Sequence, residues 1–287
     1  MTPYHRLVSD LARLVRHGKQ LPLGGFPPLP RPALADDAPG ALVFSPHPDD
    51  ECIIGGLALR VMREAGVRVD NVAVTQGSRK DRQAERWEEL TAACNFLGFG
   101  LLRTAPAGLE GINVRTRTGD PARWRAAVEV IAGILSERRP RVIFFPHDTD
   151  WNSTHIGTHH LVMDALALQA ADLTCLAIET EFWGAMASPN LMVESGVDDL
   201  ADMIAALSFH AGEVSRNPYH LLVAPWMLDN VRRGSELVGG QGGAAPDFTF
   251  ATLYRVRRWA NGRLAHVFEG GRNLPASENA GQLLTFI

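Results

Sequence analysis

The chain has 287 residues, of which 46% are hydrophobic and 21% are charged. This composition is typical of a globular protein with a large apolar core. The formal net charge of -4 provides no long-range attraction to a phosphate backbone, so nucleic acid is not an expected partner.

Membrane and disulfide signals are both weak. No uncharged run approaches the ~20 apolar residues that a membrane span needs, and Arg6 and Asp10 interrupt the region where a signal peptide would be apolar. We therefore expect no transmembrane helix and a cytoplasmic location. The three cysteines, Cys52, Cys94 and Cys175, lie far apart in apolar stretches, which predicts buried thiols.

The first 40 residues differ in pattern from the rest of the chain. Residues 1–20 have the periodicity of an amphipathic helix, with Leu7, Leu11 and Leu14 on one face. Residues 21–40 are rich in proline, which excludes a helix or a central strand and predicts an extended surface arm. We expect residues 41–287 to form a single domain.

From residue 41 onward, short apolar runs alternate with helical periodicity. Strands are predicted at 41–45, 69–75, 100–102, 141–145 and 174–179, and helices at 53–64, 81–97, 121–137 and 156–171. This series predicts an α/β fold, with a Rossmann-like, mostly parallel sheet and helices on both faces. Ligands of such sheets bind at the carboxyl ends of the strands.

The pattern weakens in the last third of the chain. A helix is predicted at 198–210 and a strand at 248–256. Between them, the glycine-rich stretch 234–243 fits either a lid over a cleft or a plain mobile loop, and the loop is the simpler interpretation.

The first predicted strand runs directly into the sequence PHPDDE at 46–51. His47 and Asp50 are three residues apart across this turn and can converge on one cation, because imidazole nitrogen and carboxylate oxygen both bind Zn²⁺ at ~2.0–2.2 Å. An alternative is that one aspartate caps the following helix. Capping accounts for one carboxylate and leaves the rest of the cluster unexplained.

A second polar cluster follows the strand at 141–145, where residues 146–160 read PHDTDWNSTHIGTHH. If a helix begins near His155, then His155 and His159 share one of its faces. A lone histidine is more often structural than a ligand, but four of them at a strand's carboxyl end favour a metal site. The two turns together supply two imidazoles and a carboxylate and leave a fourth position open, as catalytic zinc requires.

These motifs resemble those of the PIG-L (LmbE-like) family of zinc-dependent N-acetylglucosaminide deacetylases. The resemblance rests on the HPDDE turn after an apolar strand and on the later histidine pair that opens a helix. The segment RWEELTAA at 86–93 is similar to the second helix of the family. The resemblance covers residues 41–255.

The resemblance also implies roles for individual residues. His47, Asp50 and His159 would be the metal ligands, Asp49 the general base, and His155 the group that stabilises the oxyanion. The family usually spaces its histidines HxxH, whereas this chain reads HIGTH and continues with a further histidine.

Two of these assignments have alternatives. His160 competes with His159 for the role of third ligand, and we favour His159 because it shares a helical face with His155. Arg86 would contact substrate by resemblance, although an ion pair with Glu89 on the same helix is an equal alternative.

The expected activity is metal-dependent hydrolysis that removes an N-acetyl or other N-acyl group from a small amino sugar or glycoconjugate. Zn²⁺ is the metal that the resemblance implies, and the same ligands also accept Fe²⁺ or Co²⁺.

A catalytically silent metal- or sugar-binding module is the alternative, and Asp49 argues against it because metal binding does not need that carboxylate. A nucleotide-binding Rossmann protein is excluded, because HPDDE stands where the phosphate-binding glycines would be. The sequence leaves a homo-oligomer open.

Overall fold

A mixed β-sheet forms the centre of the computed structural model, which describes residues 2–181 and 183–287. The strands within these residues are β1 (Gly40–Ser45), β2 (Arg68–Ala73), β3 (Gly100–Arg103), β4 (Val142–Pro146), β5 (Cys175–Thr180), β6 (Leu191–Glu194), β7 (Ala251–Ala260), β8 (Arg263–His266) and β9 (Arg272–Leu274).

The helices surround this sheet. They are α1 (Pro3–Gly18), α2 (Glu51–Ile54), α3 (Gly56–Ala65), α4 (Gln83–Leu97), α5 (Val114–Gly119), α6 (Pro121–Arg138), α7 (Ser153–Ala167), α8 (Val197–Leu207), α9 (Ala211–Val214) and α10 (Val223–Leu237). Short 3₁₀ helices cover Lys80–Arg82, Tyr219–Leu222 and Ala280–Phe286. Among the helices of the described residues, none is long and apolar enough to cross a bilayer.

The sheet has the strand order β3-β2-β1-β4-β5-β7-β6-β9, with β8 paired to β7. The first five strands are parallel, and β7 runs antiparallel to both β5 and β6. The mostly parallel α/β sheet predicted from the sequence is therefore confirmed. The strand order reverses between β1 and β4, and the carboxyl ends of the strands at such a point form the ligand-binding crevice of open α/β sheets.

The central strand β1 explains why the sheet is covered on both faces. Ala41 and Val43 belong to one apolar cluster, and Leu42 and Phe44 belong to another on the opposite side. All four side chains are buried. A strand buried on both faces reads as a continuous apolar run, which is why the sequence ALVF was recognisable as a parallel strand.

Several helices begin or end at other residues than the sequence predicts. The helix expected at 53–64 is divided at Gly55 into α2 and α3, and the helix expected at 156 begins at Ser153, where the Asn152 side chain caps it by accepting from Thr154 N. Residues 234–237 of the glycine-rich stretch form the last turn of α10. Helix α10 was missed because Pro225 and Gly234 are both poor helix formers.

The N-terminal segment agrees with its predicted conformation. Helix α1 forms, and its apolar side chains Leu7 and Leu11 are 56% and 49% exposed. The arm that follows reaches the domain near Leu29, whose N–H donates to Phe96 O. The predicted buried thiols are also confirmed, since all three cysteines are buried and free.

Candidate active site

The turns that follow β1 and β4 bring two imidazoles and a carboxylate together. His47 Nδ1 lies 3.4 Å from Asp50 Oδ2, and His155 Nε2 lies 3.3 Å from the same oxygen. One ligand atom from each of the three residues lies within 4.8 Å of the others. Parallel neighbouring strands end at the same edge of the sheet, which places two segments that are 105 positions apart beside one another.

The chemistry of this cluster fits a divalent metal ion. Asp50 and His155 are fully buried, and within the described part of the chain the Asp50 Oδ1 atom has no hydrogen-bond partner. Burial opposes the charge of Asp50, but the adjacent His155 and His47 outweigh it and lower the pKa of this carboxyl. A buried anionic oxygen that faces two imidazoles is a site for a cation.

The imidazole of His155 is held from its other side. Its Nδ1 lies 3.4 Å from Asp150 Oδ2, and the Asp150 carboxylate also accepts the N–H groups of Asn152 and Gly184. Histidine ligands of metals commonly donate their second ring nitrogen to a carboxylate, which fixes the orientation of the ring. Asp150 is the carboxylate in the corresponding place beside the His155 ring.

Asp49 lies next to the cluster in an unusual backbone conformation. Its φ angle is +112°, a region that side-chain-bearing residues rarely adopt and that costs of order 1–3 kcal/mol. Two contacts hold it there: its N–H donates to Glu51 Oε2 at 2.9 Å, and Tyr219 Oη donates to Asp49 Oδ2 at 2.6 Å. The Asp49 side chain lines the cleft.

The surroundings of Asp49 favour a carboxyl group that can accept a proton near neutral pH. Burial and the neighbouring Asp50 carboxylate raise the pKa of Asp49 to about 6, against the opposing effects of Arg86, His210 and the Tyr219 hydrogen bond. Groups that exchange protons during catalysis need pKa values close to the working pH.

Glu51 connects Asp49 to a second buried histidine. Glu51 and His210 are fully buried, and Glu51 Oε1 lies 2.7 Å from His210 Nε2. Burial opposes the charge on His210, but the Glu51 and Asp49 carboxylates outweigh it and raise the pKa of this histidine. These contacts link His210, which directly precedes α9, through Glu51 to the backbone of Asp49.

A match to a known family covers the part of the chain that builds this site. Residues 42–166 match the family described as PIG-L: GlcNAc-PI de-N-acetylase. This match covers less than half of the chain. A 1D-myo-inositol 2-acetamido-2-deoxy-alpha-D-glucopyranoside deacetylase from Nocardia farcinica is 27% identical over 158 residues, which are 46% of this chain and 53% of the relative. The chain thus spans about half the length of this curated relative.

Solved structures share the fold of this chain. The N,N'-diacetylchitobiose deacetylase of Pyrococcus horikoshii aligns with a TM-score of 0.57 at 15% identity and covers 88% of this chain and 92% of its own. The 4-carboxy-2-hydroxymuconate hydratase of Pseudomonas putida KT2440 aligns with a TM-score of 0.53 at 19% identity, over 76% and 95% of the two chains. Because the fold carries different reactions, the site residues must decide which one applies.

The two histidines predicted for the site lie at different places along α7. His155, expected to stabilise the oxyanion, lies with His47 and Asp50. His159, expected to be the third ligand, has its Nδ1 3.1 Å from Pro146 O and 3.4 Å from Glu179 Oε1. The physical reason is the start of α7 at Ser153: His155 is in the first turn at the sheet edge, and His159 is one turn farther along the helix, about 6 Å away.

Arg86 lines the same cleft as Asp49. Its guanidinium donates to Pro48 O at 2.7 Å and is 3.5 Å from Asp49 Oδ2. Among the ion pairs of the described residues, none joins Arg86 to Glu89, whose Oε1 accepts the N–H of Gly212. His160 stands apart from the cluster and contacts the His159 ring edge-on.

The site opens into a polar cleft of about 630 Å³, which His47, Asp49 and Arg86 line together with Trp151 and Asn152. Trp151 is 70% exposed, and its Nε1–H donates to Trp183 O. A cleft of this volume accommodates a small molecule of the size of one or two sugar rings.

Tyr219 and Asp150 are site residues that sequence reasoning missed. Tyr219 reaches Asp49 from a 3₁₀ helix 170 positions later, and no local motif marks it. Asp150 had a signal: it precedes the His155 ligand candidate by five residues, and metal-binding histidines commonly have a carboxylate partner.

Proposed function

We propose that this protein is a metal-dependent hydrolase that removes an N-acetyl or other N-acyl group from an amino-sugar-containing substrate. The observation that carries the proposal is the convergence of His47, Asp50 and His155 beside the Asp49 carboxylate at the base of an open cleft. The activity in the name of the Nocardia farcinica relative supports the choice of reaction.

His155, and not His159, completes the proposed ligand set, because one nitrogen of His155, one nitrogen of His47 and one carboxylate oxygen of Asp50 lie within 4.8 Å of one another. Zn²⁺ or another divalent ion that accepts these ligands, such as Fe²⁺, would supply Lewis-acid polarisation of the amide carbonyl and acidify water. The remaining chemistry belongs to the protein side chains.

Asp49 is the proposed general base. Its carboxylate takes a proton from the attacking water and returns it to the amine that leaves. Tyr219 and the Glu51–His210 pair keep that carboxylate directed at the cleft, and Arg86 holds a hydroxyl or carboxylate group of the substrate.

Asn152 is the proposed partner of the developing oxyanion. Counted back from His155, the HxxH spacing of the family falls on Asn152, which lines the cleft. Its side-chain oxygen accepts from Thr154 N, so its amide nitrogen is the group left to donate toward the cleft. Loss of one such donor typically slows an enzyme about 10²- to 10³-fold.

Release of free amine and acetate from N-acetylated sugars tests the function. The full chain is freed of metal, divided, and assayed with and without added Zn²⁺ or Fe²⁺ on N-acetylglucosamine and its inositol and alkyl glycosides. We expect turnover that requires the metal and that falls about 10²- to 10⁴-fold in Asp49→Asn with metal content unchanged. Stoichiometric metal binding without amine release from any substrate would support the catalytically silent module instead.

A further inference from the structure

A second, apolar pocket adjoins the active-site cleft. Its volume is about 150 Å³, and its wall consists of aliphatic and aromatic side chains from α2, from the segment between β5 and β6, from the 3₁₀ helix at Tyr219–Leu222, and from α10: Ile53, Trp183, Tyr219, Leu222, Val223 and Trp226. The polar side chains of the cleft, such as His47 and Arg86, do not line it.

Two aromatic side chains connect this pocket to the chemistry. Trp183 lines both the cleft and the apolar pocket, and its ring centroid lies 5.8 Å from that of Tyr219. Tyr219 in turn donates to Asp49. Trp183 is thus shared by the pocket and by the cleft that Asp49 lines, and a substrate bound in the cleft can reach the pocket beside Trp183.

The pocket leaves apolar surface open to water beside a polar site. Leu222 is 53% exposed and Trp183 is 37% exposed. Exposed apolar patches next to a cleft are typical of ligand-binding surfaces, because a ligand that covers them recovers the hydrophobic free energy.

The volume indicates the size of the occupant. In another protein, an engineered cavity of about 150 Å³ lined by aliphatic and aromatic side chains binds benzene. Accepting the function proposed above, we propose that this pocket is a subsite for a hydrocarbon group of about six carbons carried by the amino-sugar substrate. The group is either the alkyl part of the N-acyl chain or the aglycone of the sugar.

Two substrate series test this subsite and distinguish the N-acyl chain from the aglycone as its occupant. One keeps the N-acetyl group and lengthens an alkyl glycoside from methyl to hexyl; the other keeps the methyl glycoside and lengthens the acyl group from acetyl to hexanoyl. A buried methylene group tightens binding about fourfold. We expect KM for amine release by the metal-loaded protein to fall by about that factor per methylene in one series.

Leu222→Asn and Leu228→Asn make a matched pair of variants. Both leucines are exposed, at 53% and 44%, so neither change is expected to unfold the protein, but only Leu222 lines the pocket. Leu222→Asn should abolish the dependence of KM on chain length. Leu228→Asn should behave as wild type. A KM independent of chain length in both series, or equal effects of the two variants, overturns the subsite.

Calorimetric binding keeps the subsite testable if the proposed reaction is wrong. Without amine release from the methyl N-acetyl substrate, the hydrolase proposal fails, and the affinities of hexyl and methyl glycosides are compared directly. Tighter binding of the hexyl glycoside that Leu222→Asn removes supports the pocket. Equal affinities for the hexyl and methyl glycosides, together with equal affinities for the N-hexanoyl and N-acetyl sugars, refute it.

Discussion

The hydroxyl of Tyr219 donates a 2.6 Å hydrogen bond to Asp49 Oδ2, across 170 positions of sequence. This contact joins the 3₁₀ helix at Tyr219–Leu222 to the turn after β1. It also fixes the proposed general base in the orientation that the cleft requires, so the catalytic turn depends on a part of the chain that carries no motif.

Tyr219→Phe should lower kcat without releasing metal. A hydrogen bond to a charged group contributes about 1.5–3 kcal/mol, so we expect a loss of roughly 10- to 100-fold. Rates and metal content would be measured together, with Tyr4→Phe as the control because Tyr4 is 76% exposed on α1. An unchanged kcat would show that Asp49 does not need this contact.

The positive φ angle of Asp49 predicts a conflict between stability and activity. Asp49→Ala and Asp49→Gly both remove the carboxylate, but only glycine relieves the strain of φ +112°. We expect both variants to be inactive. The free energy of unfolding of the glycine variant should exceed that of the alanine variant by about 1 kcal/mol or more. Urea denaturation of the two provides the comparison. Equal or lower stability of the glycine variant would mean that the turn is not strained.

The buried His210 predicts how stability depends on pH. Its pKa is raised in the folded protein, so above the ordinary histidine pKa of about 6.5 the folded protein keeps a proton that the unfolded chain has released. The contribution of protonated His210 to the free energy of unfolding is fully present below pH 6.5. It is lost as pH rises through the pKa that His210 has in the folded protein.

Variants at two histidines test this dependence. His210→Gln keeps a donor toward Glu51 but cannot titrate, so its free energy of unfolding should decline less than that of wild type as pH rises above 6.5. His266→Gln, at an exposed position on β8, should follow wild type. Parallel pH curves for wild type and His210→Gln would show that His210 is neutral in the folded protein.

The elements that the sequence predicted well share one property: local pattern and tertiary environment agree. Strand β1 is apolar throughout because both faces are buried, and the PHPDDE turn follows it directly. Helix α10 could not be predicted in this way, because its proline and glycine obscure the helical periodicity. Packing against β7 stabilises this helix in the folded protein.

The proposed division of roles between His155 and His159 depends on where α7 begins. His155 and His159 share a face of α7, so periodicity alone could not choose between them. Capping by Asn152 starts the helix at Ser153 and sets His155 at the sheet edge. Tyr219 and His210 approach from segments far along the chain, and only the folded chain brings them to Asp49 and Glu51.

The metal-to-protein ratio of His155→Ala and His159→Ala tests the central claim most directly. Both proteins would be loaded with Zn²⁺, dialysed and analysed for bound metal beside wild type. The proposed ligand set predicts about one ion per chain in wild type and in His159→Ala, and little metal in His155→Ala. Retention of zinc by His155→Ala together with its loss from His159→Ala would contradict the account.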